Sequence, residues 1–179
     1  MAGDSDLYDL AQRAGHKLGA AARRVVTAES CTGGWIAKVL TDIPGSSQWF
    51  ECGYVTYSNA AKSRDLGVAL RTLDEFGAVS EQTVREMAEG AMRVSGATVA
   101  IAVSGIAGPD GGAPGKPVGM VWFCAAARDG AVADILAEEK LFSGGREFVR
   151  SRAVEHALRL ILRLDLPVHR EVGPRAGAS

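Results

Sequence analysis

The fold class is decided by residues 97–103, which read ATVAIAV. A continuous apolar run of this length is typical of a central strand that is covered on both faces. Residues 24–28 (RVVTA) form a second short β-branched run, and residues 49–57 (WFECGYVTY) are rich in aromatic and β-branched side chains. Both segments are therefore predicted to be strands of the same sheet.

A β-hairpin and several helices complete the predicted architecture. Residues 118–127 and 132–142 read as strands, and Asp129-Gly130 between them favours a tight turn. Apolar residues at helical spacing or capping serines indicate helices near 5–22, 33–42, 81–95 and 146–164, and a short helix that holds Lys62 with Asn59 as its N-cap. Helices between strands, together with one hairpin, predict an α/β protein: a single three-layer α/β/α sandwich with a mixed sheet.

Composition and charge exclude several classes of protein. The 179 residues are 47% hydrophobic, which is too apolar for a disordered chain, and 20 basic against 21 acidic side chains argue against a nucleic-acid partner. No apolar run reaches the roughly 18 residues that a membrane span needs. Residues 1–10 lack the apolar core of a signal peptide. Cys31, Cys52 and Cys124 show no CxxC spacing, so we expect a cytoplasmic protein without a disulfide framework or a metal site.

A candidate nucleophile lies in residues 27–35, TAESCTGGW, where a strand turns into a helix. Ser30 would lie at the helix N-terminus, where free N–H groups and the helix dipole favour an alkoxide or an adjacent oxyanion. The pair Gly33-Gly34 would let a ligand approach the backbone closely. Two alternatives stay open: Ser30 or Thr32 is only a helix cap, or Cys31 is the nucleophile because a helix N-terminus lowers a thiol pKa.

A serine nucleophile needs a base, and the three histidines lie in the first helix, the last helix and the tail. The candidate base is then Lys62, at the end of residues 57–62 (YSNAAK). A lysine acts as a base only if burial or a neighbouring positive charge lowers its pKa. Tyr57 is a candidate to orient Lys62 or to relay a proton. The sequence also allows Lys62 to be a solvated surface lysine.

Two further segments are candidates for ligand binding. Residues 104–117 (SGIAGPDGGAPGKP) form a Gly/Pro-rich loop that contains neither a Walker A nor a GxGxxG motif. Such loops form anion-binding nests of N–H groups, although a plain hairpin loop is the alternative, and Asp110 is either a polar contact or a turn former. Arg146 and Arg150 begin the last helix, where the dipole disfavours cations unless an anion such as phosphate is present; the alternative is that both are solvated.

Taken together, these segments resemble the CinA C-terminal domain family. The matching stretches are TAESCTGGW (27–35), PGSSQWFECGYVTYSNAAK (44–62), GAVSEQTV (77–84), AVSGIAGPDGG (102–112), KPVGMVWF (116–123) and FSGGREFVR (142–150). Their order and spacing agree over about residues 7–164. The resemblance implies one domain over residues 1–165, and the polar tail over 166–179 is expected to be disordered.

The resemblance also implies an activity: hydrolysis of nicotinamide mononucleotide to nicotinic acid mononucleotide and ammonia, in pyridine nucleotide salvage and without a cofactor. Ser30 then corresponds to the nucleophile, Lys62 to its base and Tyr57 to a supporting hydroxyl, while N–H groups at the helix start hold the oxyanion. The expected substrate-binding residues are Thr32, Gly33, Gly34, Asn59, Ser104, Gly105, Ala107, Gly108 and Arg146.

Three further expectations accompany this assignment. The helix-terminus argument gives Arg146 the nucleotide phosphate. The family resemblance predicts a homo-oligomer, with Trp49 as an exposed aromatic residue at an interface. The alternative to an enzyme is a regulatory module, linked to competence or to the DNA-damage response, that binds a mononucleotide without turning it over.

Overall fold

A single mixed sheet of five strands organises the chain. The computed structural model describes residues 4–129 and 132–167. The strands are β1 (Val25–Glu29), β2 (Phe50–Val55), β3 (Val99–Gly105), β4 (Met120–Asp129) and β5 (Val132–Leu141). Their order across the sheet is β2-β1-β3-β4-β5. β1 is parallel to β2 and β3, whereas the β3–β4 and β4–β5 pairs are antiparallel. All the predicted strands are present; the predicted turn residue Gly130 lies outside the described residues.

The helices agree broadly with the predicted pattern. They are α1 (Asp4–Ala20), α2 (Trp35–Thr41), α3 (Asn59–Leu66), α4 (Leu70–Phe76), α5 (Glu81–Ser95) and α6 (Arg146–Arg163). Helix α4 was not predicted. The N-cap of α3 is Ser58, whose hydroxyl accepts from the Ala61 N–H, so the prediction of Asn59 as the cap is wrong. The predicted cap of α5, Ser80, accepts a hydrogen bond from the Thr83 N–H.

The predicted three-layer α/β/α sandwich is confirmed. Side chains alternate across β3, so Ile101 packs into one core with α1, α2 and α6, and Ala100 packs into the other with α3, α4 and α5. The alternation follows from strand geometry, because successive side chains point to opposite faces. The face toward α5 carries mostly alanines on β3 and β4, and these small side chains let the helix lie close to the sheet.

Trp49 is buried, so the prediction that it is an exposed interface residue is wrong. Its side chain is 6% exposed and belongs to the core that contains α1. Gly15 on α1 makes room for the ring, since a Cβ atom there would lie 2.5 Å from a Trp49 ring carbon. The expected homo-oligomer stays a prediction.

The sheet topology brings several loops to one edge. β1 and β3 are parallel neighbours, with Glu29 opposite Val103, so their carboxyl ends lie side by side. In sheets of this kind ligands bind where such ends open into loops. None of the helices in the described ranges is long and apolar enough to cross a membrane.

Candidate active site

A serine and a buried lysine meet at the carboxyl end of β1. The Thr56 N–H donates to the Glu29 carbonyl at 2.9 Å, which continues the β1–β2 pairing and brings residue 56 beside the end of β1. Helix α3 then turns back over this edge. The Lys62 Nζ lies 2.9 Å from the Ser30 Oγ and donates to the Thr56 carbonyl at 2.7 Å. The fold thus unites two residues that the sequence places in separate segments.

Burial changes the acid–base behaviour of Lys62. Its side chain is 1% exposed, and no carboxylate of the described residues lies within ion-pair distance of its ammonium. Desolvation lowers the pKa of Lys62 from 10.5 to about 8, because the charged form is disfavoured away from water. About one lysine in ten is therefore neutral at pH 7, and about half at pH 8.

The rival groups for this chemistry are poorly placed. Burial raises the pKa of the Cys31 thiol to about 12, so the expectation that a helix terminus lowers it is wrong. His16 is exposed on α1, and His156 on α6 packs its ring against Phe123. Neither histidine lines the pocket described below. His169 lies outside the described residues.

Glu29 occupies the start of α2. Its carboxylate accepts hydrogen bonds from the N–H groups of Gly34, Ile36 and Ala37 at 2.8–3.1 Å, and from the Thr32 hydroxyl at 2.7 Å. A carboxylate is well suited to this place, since the first N–H groups of a helix have no partner within it. Contrary to expectation, these three N–H groups are not free to hold an oxyanion.

A pocket of about 270 Å³ opens beside the serine and the lysine. The predicted residues that line it are Ser30, Tyr57, Lys62, Ser104, Gly105, Ala107, Gly108 and Arg146. The Gly/Pro-rich loop therefore forms one wall of this pocket. The pocket volume lies just below the range for small-molecule sites, about 300–1,000 Å³.

Four predicted substrate-binding residues lie outside this pocket lining. Thr32 is fully buried, and Asn59 is exposed at the start of α3. The pair Gly33-Gly34 has φ values of +63° and +92°, so α2 begins only at residue 35 and not at the predicted residue 33. Atoms of Arg150 and Val55 lie beside these glycines, 3.3 Å from where Cβ atoms would stand. The glycines thus shape the turn and accommodate side chains of the protein.

Arg146 supplies a positive charge at the pocket. Its Nη1 donates to the Gly108 carbonyl and its Nη2 to the Tyr57 hydroxyl, each at 2.9 Å. Tyr57 therefore contacts Arg146, and no hydrogen bond joins it to Lys62 in the described part of the chain. Within residues 4–129 and 132–167, Arg146 forms no ion pair with a carboxylate. Its charge is available to an anionic ligand.

Comparison with known proteins identifies the family. The family model described as the CinA C-terminal domain matches residues 7–164. The chain belongs to the CinA C-terminal domain family. Its resemblance to that family, expected from the motifs, is confirmed.

Relatives of this CinA domain carry an enzyme name. It is 51% identical to "Nicotinamide-nucleotide amidohydrolase PncC" of Escherichia coli K12 over 158 residues, 88% of this chain and 94% of the relative. The protein of that name from Enterobacter agglomerans is 55% identical over 157 residues, with the same shares. A solved structure, the competence/damage inducible protein CihA from Agrobacterium tumefaciens, has a TM-score of 0.84 at 45% identity and covers 89% of this chain and 94% of its own.

The pocket of the CinA domain includes residues that sequence analysis did not assign to it. The additional lining residues are Cys31, Ala78, Val79, Ile106, Asp110 and Gly111. The sequence offers Cys31 as an alternative nucleophile and Asp110 as a polar contact or turn former, and Ile106 and Gly111 belong to the predicted loop. Ala78 and Val79 fall in the family stretch 77–84, which was the available signal for this part of the wall.

Proposed function

We propose that this chain is an amidohydrolase that converts nicotinamide mononucleotide to nicotinic acid mononucleotide and ammonia, with Ser30 as nucleophile and Lys62 as base. The observation that carries the proposal is the 2.9 Å contact between the Ser30 Oγ and the buried Lys62 Nζ. The choice of substrate is supported by relatives named nicotinamide-nucleotide amidohydrolase that align over 94% of their length. The reaction belongs to pyridine nucleotide salvage.

The first step is proton transfer from Ser30 to neutral Lys62. A neutral amine has two N–H groups and one lone pair, so donation to the Thr56 carbonyl leaves the lone pair free to turn toward the Ser30 hydroxyl. The Ser30 Oγ then bonds to the carboxamide carbon. Lys62 returns the proton to the departing nitrogen, the C–N bond breaks, and ammonia leaves. Water, deprotonated by Lys62, hydrolyses the resulting ester and frees Ser30.

The oxyanion needs donors other than those at the start of α2. The N–H groups of Cys31 and Thr32 directly follow the nucleophile, and among the described residues neither donates to another residue. We assign the oxyanion to the Cys31 group, since Cys31 lines the pocket, whereas Thr32 is fully buried outside it. Donors that are already oriented toward developing charge stabilise the transition state strongly, because little reorganisation is needed during the reaction.

We assign Arg146 to bind the phosphate group of the substrate. A guanidinium matches phosphate geometry with paired N–H donors. The Tyr57 hydroxyl accepts from Arg146 and so steadies the guanidinium while its own O–H remains a donor. The Gly/Pro-rich loop around Gly108 closes the wall between the phosphate end and the reacting carboxamide.

The test is product formation by the purified protein and two variants. The native protein should release ammonia and nicotinic acid mononucleotide in equal amounts from nicotinamide mononucleotide. Ser30→Ala should lower kcat by at least about 10³-fold, since it removes the nucleophile, yet the substrate should still raise the melting temperature. Cys31→Ala, the matched control beside it, should stay within about tenfold of native.

Two outcomes would contradict the proposal. Near-native turnover by Ser30→Ala would exclude Ser30 as the nucleophile. Stabilisation by nicotinamide mononucleotide without product from the native protein would favour the non-catalytic binding module.

A further inference from the structure

The Arg150 side chain contacts the turn that carries Ser30. From α6, its Nε donates to the Cys31 carbonyl at 3.1 Å and its Nη2 to the Thr32 carbonyl at 2.8 Å. Its guanidinium carbon lies 5.5 Å from the centre of the Trp35 ring. Ion pairs between Arg150 and a carboxylate are absent from the described residues, so its charge is directed to these two peptide carbonyls.

The turn over residues 30–34 is also held by Glu29, which accepts from the Thr32 hydroxyl and the Gly34 N–H, and by the Ser30 N–H, which donates to the Val103 carbonyl at 3.0 Å. The Gly33 N–H donates to the Ser30 carbonyl at 3.0 Å, and the Trp35 N–H donates to the Thr32 carbonyl at a long 3.3 Å. For the Cys31 carbonyl, Arg150 is the one hydrogen-bond donor that the described residues supply. Among the described residues, Arg150 therefore provides the one hydrogen bond to the Cys31–Thr32 peptide.

This hydrogen bond restrains the residue that follows the nucleophile. Cys31 lines the pocket directly after Ser30, so movement of its carbonyl would also displace the Cys31 N–H and the Ser30 hydroxyl. A hydrogen bond from a charged donor is stronger than one between neutral groups, so Arg150 holds this part of the turn firmly.

We propose that Arg150 is a positioning residue: it fixes the turn over residues 30–34 and thereby holds the Ser30 hydroxyl and the Cys31 N–H in place at the pocket. This inference rests on the proposed amidohydrolase function. Arg150 is not among the residues that line the pocket, so it acts through the peptide and not by touching substrate. Gly33 supports the arrangement, since its missing Cβ would lie 3.3 Å from the Arg150 Nη2.

The kinetic test compares two arginines of α6. Arg150→Met replaces the guanidinium by an apolar side chain of similar length and so loses both hydrogen bonds. Its kcat should fall about 10²-fold, as for a misplaced oxyanion donor, and its KM should stay within about threefold of native. Added guanidinium ion at millimolar concentration should restore part of kcat. Arg163→Met is the control, because Arg163 pairs with the Glu138 carboxylate at the surface. It should keep native kcat and show no response to guanidinium.

A second readout does not depend on turnover. Hydrogen exchange of a peptide covering residues 30–37 should accelerate in Arg150→Met and stay native in Arg163→Met. Unchanged exchange in Arg150→Met, or a kcat within about threefold of native, would overturn the inference while leaving the proposed function intact. Absence of turnover in the native protein would instead refute the proposed function, and the exchange experiment would still decide whether Arg150 holds the turn.

Discussion

Replacing Lys62 by methionine tests whether the fold holds a destabilised charge at the site. The pKa falls from 10.5 to about 8 on burial, and about 1.4 kcal/mol per pKa unit gives a penalty of roughly 3 kcal/mol at pH 7. Methionine fills a similar volume without charge, but it leaves the Thr56 carbonyl without its Lys62 donor, at a cost of about 1–2 kcal/mol. Lys62→Met should therefore be inactive, yet more stable than the native protein by about 1–2 kcal/mol at pH 7.

The sign of this difference should change with pH. The folded protein has the lower lysine pKa, so between pH 8 and 10.5 it binds fewer protons than the unfolded chain, and its stability rises with pH across that window. At pH 10 the penalty has shrunk to about 1 kcal/mol. The unsatisfied carbonyl in Lys62→Met then cancels or outweighs the gain, and the native protein becomes equal to or more stable than the variant.

Urea denaturation at pH 7 and pH 10 measures this difference. Lys38→Met is the matched control, because the Lys38 side chain is 67% exposed and pairs with Asp42, the C-cap of α2. It should change stability by less than about 0.5 kcal/mol at either pH. The reasoning would be refuted if Lys62→Met were less stable than native at pH 7 by the same amount as at pH 10, since Lys62 would then carry an ordinary pKa.

Three further predictions concern the rate, the packing and the phosphate end. The kcat/KM of the native protein should rise with pH and level off above about 8, as neutral Lys62 accumulates; a flat profile between pH 6 and 8 would contradict its role as base. Gly90→Ala should lose at least about 2 kcal/mol in urea denaturation, because its Cβ would lie 1.9 Å from the Leu66 carbonyl oxygen; Gly19→Ala, with open space around it, should not lose stability. Arg146→Met should raise KM for nicotinamide mononucleotide about 10- to 100-fold and leave KM for the dephosphorylated nucleoside unchanged; equal effects on both would remove the phosphate assignment.

Much of the fold could be predicted because its strands are apolar runs between turn residues. The uninterrupted run ending at Val103 is typical of a covered strand, and the stripes of α1 and α6 are buried as their spacing indicates. Helix α4 could not be predicted because it is short and buries only two side chains, those of Thr72 and Leu73. Trp49 was misjudged because its burial depends on Gly15, a residue far away in sequence whose missing side chain leaves space for the ring.

The candidate residues of the proposed site can be named from the sequence, but their arrangement cannot. Ser30 and Lys62 were named from their segments, but their contact depends on β1 and β2 being parallel neighbours, which local patterns do not specify. The role of Glu29 could not be predicted either, because it depends on the path of the chain after the end of β1. The sequence does not indicate that the carboxylate of a glutamate at a strand end accepts hydrogen bonds from N–H groups at the start of α2. For Arg150 the sequence indicates only a cation near a helix start. Its contact with the Thr32 carbonyl joins residues 118 apart in the chain, which local patterns do not specify.

The most direct test of the central claim is the mass of the protein during turnover. Native protein mixed with nicotinamide mononucleotide and acid-quenched within the first turnover should contain a species heavier by the mass of the substrate less ammonia. Proteolysis should place this adduct on Ser30, and Ser30→Ala should show none. Ammonia release with an unmodified Ser30 peptide at every quench time, or an adduct on Cys31, would contradict the account.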